Sequence, residues 1–303
     1  MAQVETHLRR HVYPTFGDRA LGSIRPSEIQ AWVRRLEQDL APATIGVVYS
    51  FVAGIFRATV RDRLIAASPC VDIRLPKPEP KRVAPLATEQ VEALIAAMPE
   101  RHRALVVLAA GTGLRQGECF GLEVGAVDFL RRTLEVRQQL VTMPGQAAYL
   151  APPKTPSSYR TVPLPQVVVD ALAAHLSAFP PVPVEILDAT HKPEPKSRPA
   201  SLLFTTTAGA AVRRTRFSPI WRPAATAAGL GDGVTFHDLR HYASLLIRHG
   251  ENVKVVQSRL GHKNAVETLN VYSHLWPDSE DRTREAVDTV LGRVAAVDEG
   301  AAR

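Results

Sequence analysis

FHDLRHYASLLIRHGENVKVVQSRLGHKNAVETLNVY, Phe236 to Tyr272, is the stretch whose reading governs the rest of the chain. It carries His237, Arg240, His262 and Tyr272 on what its apolar spacing predicts as three successive short helices. His237 and Arg240 stand three apart, so on a helix they share a face and can converge on one small anionic group.

Outward from that stretch, bulk properties narrow what the anion belongs to. The chain has 303 residues, 45% of them hydrophobic, enough for a sizeable core and, on length, for two ordinary domains. A formal charge of +7 and a pI near 9.7 point to a polyanionic partner, because clustered Lys and Arg gain affinity by displacing counterions from phosphates. Charge alone equally fits a mildly basic soluble protein. Cys70 and Cys119 form no CxxC or framework spacing, which argues against a zinc site or a disulfide scaffold and for a reducing cytoplasm. The most apolar run, Ala104 to Ala110, is far below the roughly 20 residues that span a bilayer, and the first residues lack a signal-peptide pattern, so no membrane or export signal is expected.

Residues 1–74 are predicted helical. Ile29, Trp32, Val33, Leu36 and Leu40 fall at helical spacing behind Pro26, a first-turn residue. A second amphipathic run, Thr44 to Ile65, carries Val47, Val48, Phe51, Val52, Ile55 and Phe56 on one side and Arg57, Arg61 and Arg63 near its end. Read alone, those arginines are a solvated face. Residues 75–85, LPKPEPKRVAP, have the composition of a stiff, exposed linker and include Lys77, Lys81 and Arg82. The boundary is placed there, leaving 86–303 as the second domain.

That domain opens with Thr88 as a helix cap, followed by a helix to Met98 and an apolar helix over Arg103 to Ala110 that runs into GTGLRQGECFGL. The glycines allow a tight turn, so Arg115 emerges at a helix start with Glu118 three residues on; in isolation such a pair reads as a helix-surface ion pair. The spacing is not a dinucleotide fingerprint. Thr133 to Val141 and Tyr159 to Leu164 have strand character, with Lys154 on the connection between them. Pro165 to Phe179 is predicted helical, Pro180 to Pro199 an exposed loop or insertion, Leu202 to Thr205 a short strand, and Arg213 to Ala228 and Ser279 to Val294 helices.

The unusual polar residues of this domain are Arg115, Lys154, His237, Arg240, His262 and Tyr272, and no acidic cluster for magnesium or Walker loop accompanies them. Two arginines can grip a phosphate and stabilise the extra charge of a pentacoordinate transition state without a metal. A tyrosine hydroxyl then serves as nucleophile, given a base from His237 or His262, while Lys154 can protonate the leaving alkoxide. Tyr242 is the rival nucleophile, but its offset of two from Arg240 turns it off the shared face.

GTGLRQGE, KTPSSYRTVPL, HDLRHYAS and LGHKNAVETLNVY, in that order, resemble the tyrosine recombinases or phage-type integrases, and TFGDRALGSIRPSEIQAW resembles that family's core-DNA-binding domain. The resemblance implies a mostly α, α+β architecture: a helical core-binding domain and a catalytic domain with a small antiparallel β-sheet, closing as a C-shaped clamp. It implies site-specific recombination or integration through a 3′-phosphotyrosine intermediate, with Arg115 and Arg240 as clamp on the scissile phosphate, Lys154 as general acid to the 5′ oxygen, His237 as acid–base residue, His262 as donor to the phosphate, Tyr272 as nucleophile and Glu118 as support behind them. It also implies neither metal nor nucleotide cofactor. The partners it implies are double-stranded DNA sites, a homo-tetramer that exchanges the 279–294 helix, and an accessory DNA-bending or directionality factor. Arg57, Arg61, Arg63, Lys77, Lys81 and Arg82 are then candidate DNA contacts. The core-binding domain's first helix begins part-way, at Met1-Ala2-Gln3, without the arm-binding domain usual in such integrases; an N-terminally shortened protein is expected, which bears on full recombination more than on cleavage.

Two readings compete. His237 and His241 stand at i and i+4 as in zinc hydrolases, although Asp238 occupies the place where that pattern has Glu and no third ligand is evident. The other is a truncated relative that binds DNA without rearranging it. A type IB topoisomerase would use nearly the same residues, but the helical N-terminal segment favours recombination.

Overall fold

The computed structural model describes residues 2–79, 84–190, 194–243, 252–261 and 263–272, and its chain divides into two compact units, Met1–Lys81 and Arg82–Arg303.

In the first unit, helices α1 (Ala2–His7) and α2 (Tyr13–Phe16), joined by one wide turn, precede α3 (Pro26–Leu36) and α4 (Pro42–Arg61). Pro26 and Pro42 each occupy a first-turn position, where a missing N–H leaves no bond unmade. Ile29, Trp32 and Val33 of α3 pack with Ile45, Val48, Val52 and Phe56 of α4, and the buried Trp32 indole donates to the His11 carbonyl at 2.8 Å. The apolar face of α4 is wider than its buried stripe: Val47 and Ile55 are exposed. Among the described residues α4, not the Ala104 run, is the helix with the length and mean hydropathy (1.6) of a membrane span, and its stripe forms this unit's core.

The second unit is built on α6 (Glu100–Thr112), buried along most of its length at Ala104, Leu105, Val106, Leu108 and Ala109, as expected of a helix apolar all round. It packs against α5 (Thr88–Ala97) and α8 (Gln166–Ala178). Thr88 is the first helical residue rather than the cap; the cap position is Ala87, whose N–H donates to Gln90 Oε1 at 2.9 Å. Gly113 ends α6 with φ +69°, and a Cβ there would stand 2.5 Å from Leu260 and 3.1 Å from Ala243, so only glycine fits. The short helix α7 (Gln116–Phe120) follows at once.

Where one small antiparallel sheet was expected there are two sheets. Strands β1 (Val127–Asp128), β2 (Thr133–Val136) and β5 (Arg160–Pro163) form an antiparallel sheet with Val136 opposite Arg160. Strands β3 (Gln139–Val141), β4 (Tyr149–Ala151), β6 (Val184–Asp188) and β7 (Lys196–Ala200) form the second, in which β4 and β6 run parallel. Thr133 to Val141 is therefore two strands in different sheets. Pro180 to Pro199, expected as a loop, supplies β6 and β7: Arg198 bridges Glu123 at 2.7 Å and Asp188 at 2.6 Å, while Ile186 turns into the core. Leu202 to Thr205 makes only isolated bridges, not a strand.

Helix α9 (Arg214–Ala227) sets Phe217 and Trp221 under Phe236, with ring centroids 5.7 and 5.6 Å away. That aromatic floor fixes the start of α10 (Asp238–Tyr242), and α11 (Val253–Leu260) and α12 (Ala265–Tyr272) complete the described chain.

Candidate active site

Helix α11 ends with carbonyl groups that have no helical partner, the negative end of the helix dipole. Three successive ones each accept from a different arginine. Arg160 Nε donates to the Arg259 carbonyl at 2.9 Å, Arg240 Nη2 to that of Leu260, and Arg115 Nη2 to that of Gly261 at 3.2 Å. Arg240, 3% exposed, also donates to the Gly113 carbonyl at 2.5 Å. The glycine turn after α6 and the end of α11 thus hold one guanidinium between them.

Glu118 is the carboxylate of the cluster. Its Oε2 accepts the Arg115 backbone N–H at 3.0 Å, closing the first turn of α7, and Arg160 Nη2 at 2.9 Å; its Oε1 accepts Arg115 Nη1 at 2.9 Å. At 3% exposure it is not the helix-surface partner that its spacing alone suggested. Burial works to raise its pKa, but Arg160 and Arg115 more than offset this and hold it below the ordinary value. Arg240 is pushed down to about 10, first by burial and then by repulsion from Arg115. Three guanidiniums against one carboxylate leave the cluster formally two positive charges in excess, an arrangement that an anion would relieve.

Tyr272, 1% exposed, packs with Ala243, Val256 and Leu260, and its hydroxyl lies 2.8 Å from His241 Nδ1. His241 is pushed down to about 4, chiefly by burial and then by His237, so its ring is neutral at pH 7. The exposed His237 ring stands edge-on to it, centroids 4.9 Å apart, and is lowered by the protein around it, Arg240 and Arg115. Asp238 is occupied as a cap, accepting the Thr235 N–H at 2.7 Å and hydroxyl at 2.9 Å. With His241 turned to Tyr272, Asp238 turned to Thr235, and no group of three or more His, Cys, Asp or Glu suited to a metal among the described residues, the arrangement does not favour the zinc reading. Tyr242 points elsewhere, to Thr88 at 3.2 Å.

Lys154 is exposed on the connection from β4 to β5. Its loop is moored to the arginines: Thr155 Oγ1 and Ser158 Oγ are 2.9 Å apart, and Arg115 Nη1 donates to Ser158 Oγ at 3.1 Å. Of the sequence-predicted residues, the structure brings together Arg115, Glu118 and Arg240 at the α11 end, with His237 and Tyr272 joined through His241. Arg57, Arg61, Arg63 and Lys77 are exposed in the first unit. His262, Lys81, Arg82 and the 279–294 helix lie outside the described residues. Sequence reasoning missed Arg160, and named His241 only in the zinc reading, without its contact to Tyr272; for Arg160 the parity of β5, which turns it inward, was the available signal.

The profile of the phage integrase family matches residues 85–278, and that of the phage integrase central domain matches residues 1–75. The chain is 28% identical over 294 residues to a XerC-like tyrosine recombinase of Caldanaerobacter subterraneus subsp. tengcongensis, covering 88% of this chain and 72% of the relative. It is 30% identical over 256 residues to tyrosine recombinase XerD of Pseudomonas aeruginosa, covering 81% and 74%. Its fold matches the Tn1549 transposon integrase in complex with a circular intermediate DNA, with a TM-score of 0.77 at 22% identity over 95% of this chain and 91% of the other. By these matches the chain belongs to the phage integrase family of tyrosine recombinases, enzymes that break and rejoin DNA.

Proposed function

We propose that this recombinase cleaves duplex DNA at a specific site by attack of Tyr272 on a backbone phosphate seated against Arg115 and Arg240. The observation that carries this is the excess positive charge at the end of α11 beside an enclosed tyrosine whose hydroxyl already meets a neutral histidine. With Nε2 protonated, His241 Nδ1 accepts the Tyr272 O–H and holds the oxygen for attack; His237 serves as acid–base residue and His262 as a donor to the phosphate. As the bond from the Tyr272 oxygen to phosphorus forms, the tyrosine proton passes to His241 Nδ1, the bond to the 5′ oxygen breaks, and Lys154 supplies the proton that the 5′ oxygen takes up. The linkage kept as a 3′-phosphotyrosine allows a 5′ hydroxyl to return and reseal the strand without ATP.

Residues 1–74 act as the core-DNA-binding domain, 75–85 as the linker and 86–303 as the catalytic domain. Arg57, Arg61, Arg63 and Lys77, with Lys81 and Arg82, supply backbone contacts that position the duplex rather than read it. Four copies act on two sites in the cytoplasm, where the DNA is, joined through the 279–294 helix and aided by an accessory DNA-bending or directionality factor. The test is a duplex site selected from a random-sequence pool. Arg115→Ala and Lys154→Ala should each lower single-turnover cleavage by about 100-fold or more with binding within a few-fold of wild type. Near-normal cleavage in either variant rejects the assignment.

A further inference from the structure

None of the roles above falls to Arg160. Its side chain is 5% exposed against 26% for Arg115, too enclosed to reach a DNA phosphate. All its nitrogens are turned inward. Nε donates to the Arg259 carbonyl at 2.9 Å, Nη1 to the Ser158 carbonyl at 2.9 Å, and Nη2 to Glu118 Oε2 at 2.9 Å.

Those three acceptors belong to three separate pieces of the site. Glu118 is the carboxylate that holds Arg115; Ser158 anchors the loop of Lys154; and the Arg259 carbonyl begins the row whose next members hold Arg240 and Arg115. The turn after α11 also lies flat on the guanidinium. Gly261 has φ +65°, and a Cβ there would stand 3.1 Å from Arg160 Nη1 and 3.2 Å from its Cδ and Cζ.

We propose that Arg160 is the positioning residue of this site: one planar fork fixes the mutual alignment of the Arg115 support, the Lys154 loop and the end of α11. The proposal rests on the phosphate-clamp reading of Arg115 and Arg240. A lysine would keep the charge but, as a compact point donor, could not span three acceptors lying in different directions. Charge balance with Glu118 and alignment are therefore separable.

The experiment uses the full chain and a nicked suicide duplex bearing the selected site. Arg160→Lys should melt within a few degrees of wild type and bind DNA within about 3-fold, yet form the covalent adduct about 100-fold more slowly, the scale of an ångström-sized misplacement. Cleavage within 3-fold of wild type, or binding and cleavage lost in equal proportion, overturns the proposal. Should Arg160→Lys not fold, Arg160→Gln with Glu118→Gln removes both charges together and is compared with Glu118→Gln alone. The pair should then cleave at least about 10-fold more slowly than the single variant, and equal rates overturn the proposal. An absence of adduct from the wild-type chain overturns the clamp reading and this one with it. A wild-type adduct with an unimpaired Arg160→Lys overturns this one alone.

Discussion

Glu118 shows how one residue serves stability and chemistry together. Two arginines face a single enclosed carboxylate, so Glu118→Ala strands buried positive charge and should cost about 3–5 kcal/mol in denaturant unfolding, with Glu118→Gln milder. Because the folded-state pKa of Glu118 is depressed, its contribution is present above the unfolded carboxylate pKa and is lost as pH falls through the folded value. The difference between wild type and Glu118→Gln should therefore shrink only in acid; a constant difference down to pH 3 would contradict the pairing. Arg115, Arg240 and Tyr272 were legible because their flanking motifs are local. Arg160 and His241 were not, because what each touches lies far away in sequence: Glu118 and Arg259 for one, Tyr272 for the other.

At the scale of elements, the arginines depend on two glycine-ended helices. Gly113 takes a left-handed conformation, a Cβ there would collide with Leu260, and its carbonyl holds Arg240. Gly113→Ala should cost about 2 kcal/mol or more in thermal or denaturant unfolding and reduce cleavage beyond any loss of binding. An unchanged midpoint would contradict the enforced turn. The helices themselves were readable from apolar spacing, as α3 and α4 show. The second sheet was not, since β4 pairs with β6 from a segment whose prolines and charges resemble a loop, and a long-range parallel pairing leaves no local trace.

Over the whole molecule, acid sensitivity should come from histidines with lowered pKa values, His237 and His241 in the site and two others outside it. His102 and His175 are 7% and 5% exposed, and their Nδ1 atoms have no hydrogen-bond partner among the described residues. Burial, and then Arg101 for His102, lowers both pKa values; His175 is lowered by burial despite its bond to the Leu203 carbonyl. Unfolded histidine takes up a proton near pH 6.5, so the unfolded chain binds more protons and stability falls as pH drops below about 6.5. Midpoints measured from pH 7.5 to 5.5 should fall, and less steeply in His102→Phe; identical slopes would place the sensitivity elsewhere.

The most direct test of the whole reading is adduct formation on the nicked suicide duplex with EDTA present, followed by mapping of the DNA-linked peptide. The wild-type chain should become covalently joined to DNA through Tyr272 without a divalent metal, and Tyr272→Phe should bind the same duplex yet form no adduct. Adduct formation by Tyr272→Phe, or its loss from the wild type on adding EDTA, would contradict it.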